Sequence, residues 1–270
     1  MGEYSLGGAA GWTASFSGAA LGSDVIESVA ADGAGNVFAA GRQAVSMQGN
    51  NVMVRQYLPG GAAGWTMSYG GAALGDDRAL GVTTDPTGNV IVVGYETVTG
   101  QARDGWMRKY DPAGVELWTR GYQGVDALDD HATGVATDAT GNVFVAGFEG
   151  TTLQGAIGWL RRYDPEGLEA WTQPWPGVTD EGASFLDVVV DEASHVVVGG
   201  TETVAGTAEA LVRKYDAGGN ALWSETYATD VVAGQSVRAV TTGPGNRIWI
   251  AGSLNLGIDA RDAWVAQIAQ

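Results

Sequence analysis

Carboxylates recur at related places along this 270-residue chain. One set is Asp24, then Asp76 and Asp77, then Asp129 and Asp130 with His131, then Asp180 and Glu181. A second set is Glu96, Glu149 and Glu202, evenly spaced, with Gln43 and Leu254 at the flanking positions. Oxygens gathered around one opening would hold a hard divalent cation, calcium first, which takes about six to eight oxygen ligands. Asp77, Asp130, Glu96, Glu149 and Glu202 are the candidate ligands. A histidine beside carboxylates keeps its proton to higher pH and can serve as general acid or base. His131 with Asp130 is therefore the candidate catalytic pair of a metal-dependent hydrolase working at an acidic rim. Against this, acids at loop tips also keep a protein soluble. No dense calcium loop, H-E-x-x-H, G-x-S-x-G or phosphate-binding glycine loop is present.

Aromatic and charged residues form a second group. Trp106, Arg108 and Tyr110 alternate with Met107 and Lys109, so they share one face of a strand. The pattern returns as Trp159, Arg161, Tyr163 and as Leu211, Arg213, Tyr215. Aromatic faces and planar cations suit sugars, so Trp106, Trp159 and Trp264 are candidate glycan contacts, and repeated weak sites would gain avidity. The competing reading is packing between sheets, with arginine paired to a turn acid. Ser28, Gly81 and Gly134 form a column of small residues that Asp187 and Arg238 continue. Opposite charges there could pair across a channel or meet a ligand, because a buried charge is costly unless paired or used. Arg78, which precedes His131 in a column Val25, Arg78, His131, Ser184, Gln235, is a further ligand-binding candidate. His195 stands where other copies have a turn asparagine, so a turn role is expected.

These residues are placed by a repeat. Trp12, Trp65, Trp118, Trp171 and Trp223 are spaced 53, 53, 53 and 52 residues apart. Tyr4, Tyr57, Tyr110, Tyr163 and Tyr215 follow the same period, with Ile268 last. One copy reads as four short apolar runs bounded by turn residues, the signature of antiparallel strands. The D-x-x-G-N links, such as Asp85 to Asn89, suit tight hairpins, because aspartate caps the turn and glycine takes positive φ. The D-P-x-G links, such as Asp111 to Gly114, set proline at the second turn position. No segment holds a 3.6-residue apolar period, so no helix is expected. The chain stops after a third-type strand, DAWVAQIAQ, and begins with the Trp-type strand AAGWTASF that should follow it. Closure hides sheet edges. The expectation is an all-β, five-bladed β-propeller with four antiparallel strands per blade. Residues 1–270 form a single domain, and the N-terminal strand closes the last blade as its outer strand.

The copies GVATDATGNVFVAG and WMRKYDPAGVELW resemble the bacterial β-propeller repeat family often called SBBP, and more distantly NHL-type repeats. The resemblance implies a propeller, a secreted or cell-surface bacterial setting, and no catalytic motif. Composition narrows the partners. A net charge of −17 argues against nucleic acid, which needs a basic face. No apolar run is long enough for a membrane span. The start lacks a basic segment followed by an apolar one, so no signal peptide is expected. Zero cysteines exclude a thiol nucleophile and a disulfide scaffold. The leading expectation is a non-enzymatic, monomeric scaffold that binds a small molecule or glycan through one loop face.

Overall fold

The computed structural model describes residues 2–4, 10–18, 20, 22–71, 73–100, 102–227, 234–255 and 261–268. The chain divides into two compact units, Met1–Gly121 and Tyr122–Gln270. The first holds β1 (Gly2–Tyr4), β2 (Ala10–Thr13), β3 (Val25–Ala31), β4 (Val37–Val45), β5 (Gly49–Tyr57), β6 (Ala63–Tyr69), β7 (Arg78–Thr84), β8 (Val90–Thr97) and β9 (Arg103–Tyr110). It also holds β10 (Glu116–Tyr122), whose last residue opens the second unit. The second holds β11 (Asp130–Thr137), β12 (Val143–Thr151), β13 (Gly155–Tyr163), β14 (Glu169–Trp175), β15 (Ala183–Val190), β16 (Val196–Val204), β17 (Thr207–Tyr215), β18 (Ala221–Tyr227), β19 (Gln235–Gly243), β20 (Arg247–Asn255) and β21 (Arg261–Ile268). No helix occurs among the described residues.

Each repeat is one antiparallel meander. Four sheets have four strands, β3 to β6, β7 to β10, β11 to β14 and β15 to β18. A further sheet has three, β19 to β21. The expected turns form as the sequence dictates. Asp85 Oδ1 accepts from the Thr87 and Asn89 N–H groups, and Asn89 Nδ2 donates to Asp85 Oδ2 at 2.8 Å. His195 takes the asparagine place in the same turn: its N–H donates to Asp191 Oδ1 at 2.8 Å.

The N-terminal segment departs from expectation. β2 pairs with β1, Gly2 opposite Thr13 and Glu3 opposite Trp12, in a two-stranded sheet of its own. It is not a strand of the last sheet. The reason is local. Tyr4 and Trp12 are eight residues apart, as are Tyr57 and Trp65 or Tyr110 and Trp118, so residues 2–13 carry the same third-to-fourth-strand hairpin signal as every complete repeat. Closing that short loop costs little chain entropy.

One device is common to all five repeats. The first strand of each sheet bulges at the same place, between Ile26 and Ser28, Ala79 and Gly81, Ala132 and Gly134, Phe185 and Asp187, and Val237 and Ala239. Opposite each bulge stands a glycine on the second strand: Gly41, Gly94, Gly147, Gly200 or Gly252. A Cβ on any of the five would run into the carbonyl oxygen of the bulged strand. The bulge therefore requires glycine there.

The middle strands are buried on both faces, which is why they read as apolar runs such as Val90–Val93 and Val196–Val198. In the first unit Phe38, Val52, Val54, Val90, Val92, Trp106 and Tyr110 form one core. In the second, Phe144, Leu160, Phe185, Val198 and Leu211 form another, and Val197, Val212, Val237, Ile248 and Ile250 a third.

Candidate functional site

Asp24, Asp77 and Asp130 are spent on the backbone. Asp24 Oδ2 accepts from Gly18 N–H at 2.6 Å and Oδ1 from Ala44 N–H at 2.9 Å. Asp77 does the same for Gly71 at 2.6 Å and Thr97 at 2.7 Å, and Asp130 for Gly124 at 2.5 Å and Gly150 at 3.2 Å. Each carboxylate ties the loop entering a sheet to the far end of its second strand. Asp77 and Asp130 are 1% and 0% exposed. In the fourth repeat Ala183 replaces this aspartate. Glu202 takes over: its Oε2 accepts from Val178 N–H at 3.1 Å and Trp175 Nε1 at 3.2 Å, and its Oε1 from Thr226 Oγ1 at 2.5 Å.

Glu96 and Glu149 serve a different pairing. Tyr69 donates its hydroxyl to Glu96 Oε2 at 2.5 Å, and Tyr122 donates to Glu149 Oε2. Burial and the Glu96 carboxylate push the Tyr69 hydroxyl up to about 12. Burial likewise pushes Glu149 up, against the pull of Arg161. Arg108 lies over the Tyr69 ring at 3.6 Å and Arg161 over Tyr122 at 3.8 Å, while Arg213 lies over Trp175 at 3.5 Å. Glutamate, ring and arginine thus recur as a structural unit. The signal for it was in the sequence: Tyr69, Tyr122 and Trp175 each precede the glutamates by 27 residues. Among the described residues no three acidic or histidine side chains form a group that could hold a metal ion.

The other candidates fall as follows. His131 is half-buried and packs on Phe148, ring centroids 4.8 Å apart. Asp130 is its neighbour on β11, so the two side chains leave opposite faces of the strand. Trp106 and Trp159 are each 3% exposed, laid against Gly94 and Gly147 across the ladder, and offer no face to a sugar. Trp264 packs at the edge of the core of the last sheets. Arg78 is held by Asp76, with Nη2 at 2.7 Å, in a network with Asn50, Tyr95 and Arg103.

Asp187 and Arg238 do not share a column. The fourth repeat is one residue shorter in the turn between β16 and β17, so Ala239 stands where Asp187 does, and Arg238 is the bulged residue itself. They form no ion pair. Asp187 accepts from Val188 N–H at 2.9 Å and, across to β19, from Val240 N–H at 2.8 Å. Burial pushes its carboxyl up to about 6, against those two hydrogen bonds. Ser28 makes the same cross-link, accepting from Val82 N–H at 3.2 Å.

Arg238 is exposed, and it lines a cleft of about 220 Å³ with Thr201, Gln235, Ser236, Ser253 and Asn255. The Ser236 and Ser253 hydroxyls are 2.9 Å apart. Among the described residues Arg238 has no ion pair, and no acid lines the cleft. The first unit has a wider depression, about 740 Å³, lined by Ala20, Ser23, Arg42, Ala44, Met47 and Asn50. Its arginine is bound to Glu27 at 3.1 Å. The small polar cleft in the second unit is the better candidate site.

No family model matches the chain, and no curated protein does. Solved structures do. The chain is similar to a polysaccharide lyase, Uly1, at a TM-score of 0.52 and 14% identity. That match covers 89% of this chain and 57% of the lyase, so the chain spans little more than half of that protein. It is also similar to the β-propeller domain of the Trilobed protease from Pyrococcus furiosus (TM-score 0.49, 11% identity, 89% of this chain and 68% of that one). A third is a GH43 endo-arabinanase from Bacillus licheniformis (TM-score 0.46, 10% identity, 89% and 92%). At such identities the likeness speaks to fold and leaves chemistry to the residues.

Proposed function

We propose that the five repeats are the blades of a β-propeller that binds a small polyhydroxylated ligand, the end of a glycan, without transforming it. The observation that carries the reading is the cleft of about 220 Å³ at Thr201, Gln235, Ser236, Ser253 and Asn255. Hydroxyls and amides both donate and accept, which is the pairing a sugar's hydroxyls need. The volume is below the ~300–1,000 Å³ of pockets for drug-sized ligands, so the cleft takes one ring or one chain end. Against a hydrolytic reading stands the occupation of Asp77, Asp130 and Glu202 by protein donors.

A panel of mono- and oligosaccharides, titrated by calorimetry and by nuclear magnetic resonance, tests this. Binding weakened at least tenfold in Ser253→Val, with an unchanged melting temperature, is the expected result. Saccharides that bind the variant as tightly as the parent, or that bind neither, overturn it.

A further inference from the structure

Resting on that reading, we propose that the ligand is an acidic saccharide, a sugar ring bearing a carboxylate that Arg238 receives. The chain carries 31 acidic residues against 14 basic ones. Among the described residues seven of the lysines and arginines meet a carboxylate. Arg42 meets Glu27, Arg78 meets Asp76, Arg108 meets Glu116 and Arg161 meets Glu169. Arg238 meets no carboxylate among the described residues, and the other described residues that line its cleft are all neutral.

Its position is also unusual. The bulged residue is Glu27, Leu80, Thr133 and Leu186 in the other repeats, and arginine only in the last. The bulge leaves that residue out of the ladder, so its side chain is free of the in-and-out alternation that commits its neighbours to the core. Gln235 and Ser236 are buried three and two residues before it on β19 and reach the same cleft. A rigid strand therefore presents one planar cation beside neutral donors and acceptors. Guanidinium and carboxylate match in geometry, two parallel N–H···O bonds, and the pair gains strength from charge. A neutral sugar could use the hydroxyls and amides but would leave the cation without a partner.

The test titrates the intact protein with oligogalacturonide, with the neutral galactose oligomer of equal length, and with succinate as a carboxylate that is not a sugar. We expect the uronide to bind at least tenfold more tightly than either. Added salt should narrow that difference, and Arg238→Gln should abolish it. Equal affinity for uronide and neutral oligomer overturns the acidic assignment and leaves the glycan reading standing. Succinate binding as tightly as the uronide overturns the saccharide part. No saccharide binding overturns both. Arg238 is exposed, so the variant keeps its fold, and a melting curve checks that.

Discussion

The second and fourth sheets, one in each unit, solve the same problem with different residues. Both have glycine opposite the bulge, Gly94 and Gly200. Both bury a lysine on a turn aspartate, Lys109 on Asp85 at 2.9 Å and Lys214 on Asp191 at 3.0 Å. They part at the entry loop. The second sheet ties its loop with Asp77 and leaves Glu96 to Tyr69. The fourth has Ala183, and Glu202 ties the loop while still holding the outer strand through Trp175 and Thr226. They part again at the inner column, Gly81 against Asp187. Backbone demands fix a residue type, whereas satisfying a buried N–H only needs an acceptor that reaches it.

The largest test of this comparison is what the two sheets share. Gly94→Ala and Gly200→Ala each drive a methyl into a carbonyl across the ladder, and each should cost more than about 4 kcal/mol, seen as loss of folded protein or a collapsed urea midpoint. If either variant melts like the parent, the bulge does not need glycine.

Next come the glutamates, where the sheets should differ. Glu202→Ala strands three donors and should cost about 3–5 kcal/mol, against about 1 kcal/mol for Glu96→Ala, which frees one hydroxyl. Urea unfolding of both variants gives the difference. Equal costs would mean that Glu202 does no more than Glu96.

A smaller effect than that of Glu202 is expected at Asp187. Its folded carboxyl is raised from 3.8 to about 6, so above pH 6 the folded state carries a buried charge that the unfolded state holds in water. Proton uptake as pH falls from about 6 to about 4 relieves this, so its contribution to stability rises over that window. Asp187→Asn keeps an acceptor and drops the charge. It should add about 2 kcal/mol at pH 8 and flatten the pH 6-to-4 rise, measured by thermal unfolding across pH. Asp85 works in the other direction and lower down. Burial alone would raise it, but Lys109, Asn89 and Thr87 hold it at about 2, so its contribution is present above pH 4 and lost as pH falls toward 2. A stability curve that falls between pH 6 and 4 in the parent, with no change in Asp187→Asn, would contradict the first assignment.

Much of this was legible in the sequence and some was not. The period, the four strands per repeat and the aspartate-capped turns follow from local chemistry, so Asp85 with Asn89 and even His195 behave as their neighbours in sequence require. Arg238 falls one residue short of its column: Ala239, 52 residues after Asp187, holds the matching place, because the unpaired residue of a bulge leaves no mark in residue type that would fix the register. The N-terminal strand suits two partners in sequence, and only the shorter loop decides between them. The acids suggest a rim because sequence shows charge and place, but not where a carboxylate's oxygens find their donors. Trp106 and Trp159 looked like sugar platforms for the same reason: aromatic spacing does not tell a core face from an open one.

Trp12 lies on Gly61, Trp65 on Gly114 and Trp171 on Gly219, each ring covering the positive-φ turn of the following repeat. In each of these three pairs the later module is roofed by the earlier, as tiles overlap. Such a chain can grow or shrink in evolution only by whole tiles, cut between a tryptophan strand and the loop after it, because any other cut bares a turn on one side and orphans an indole on the other.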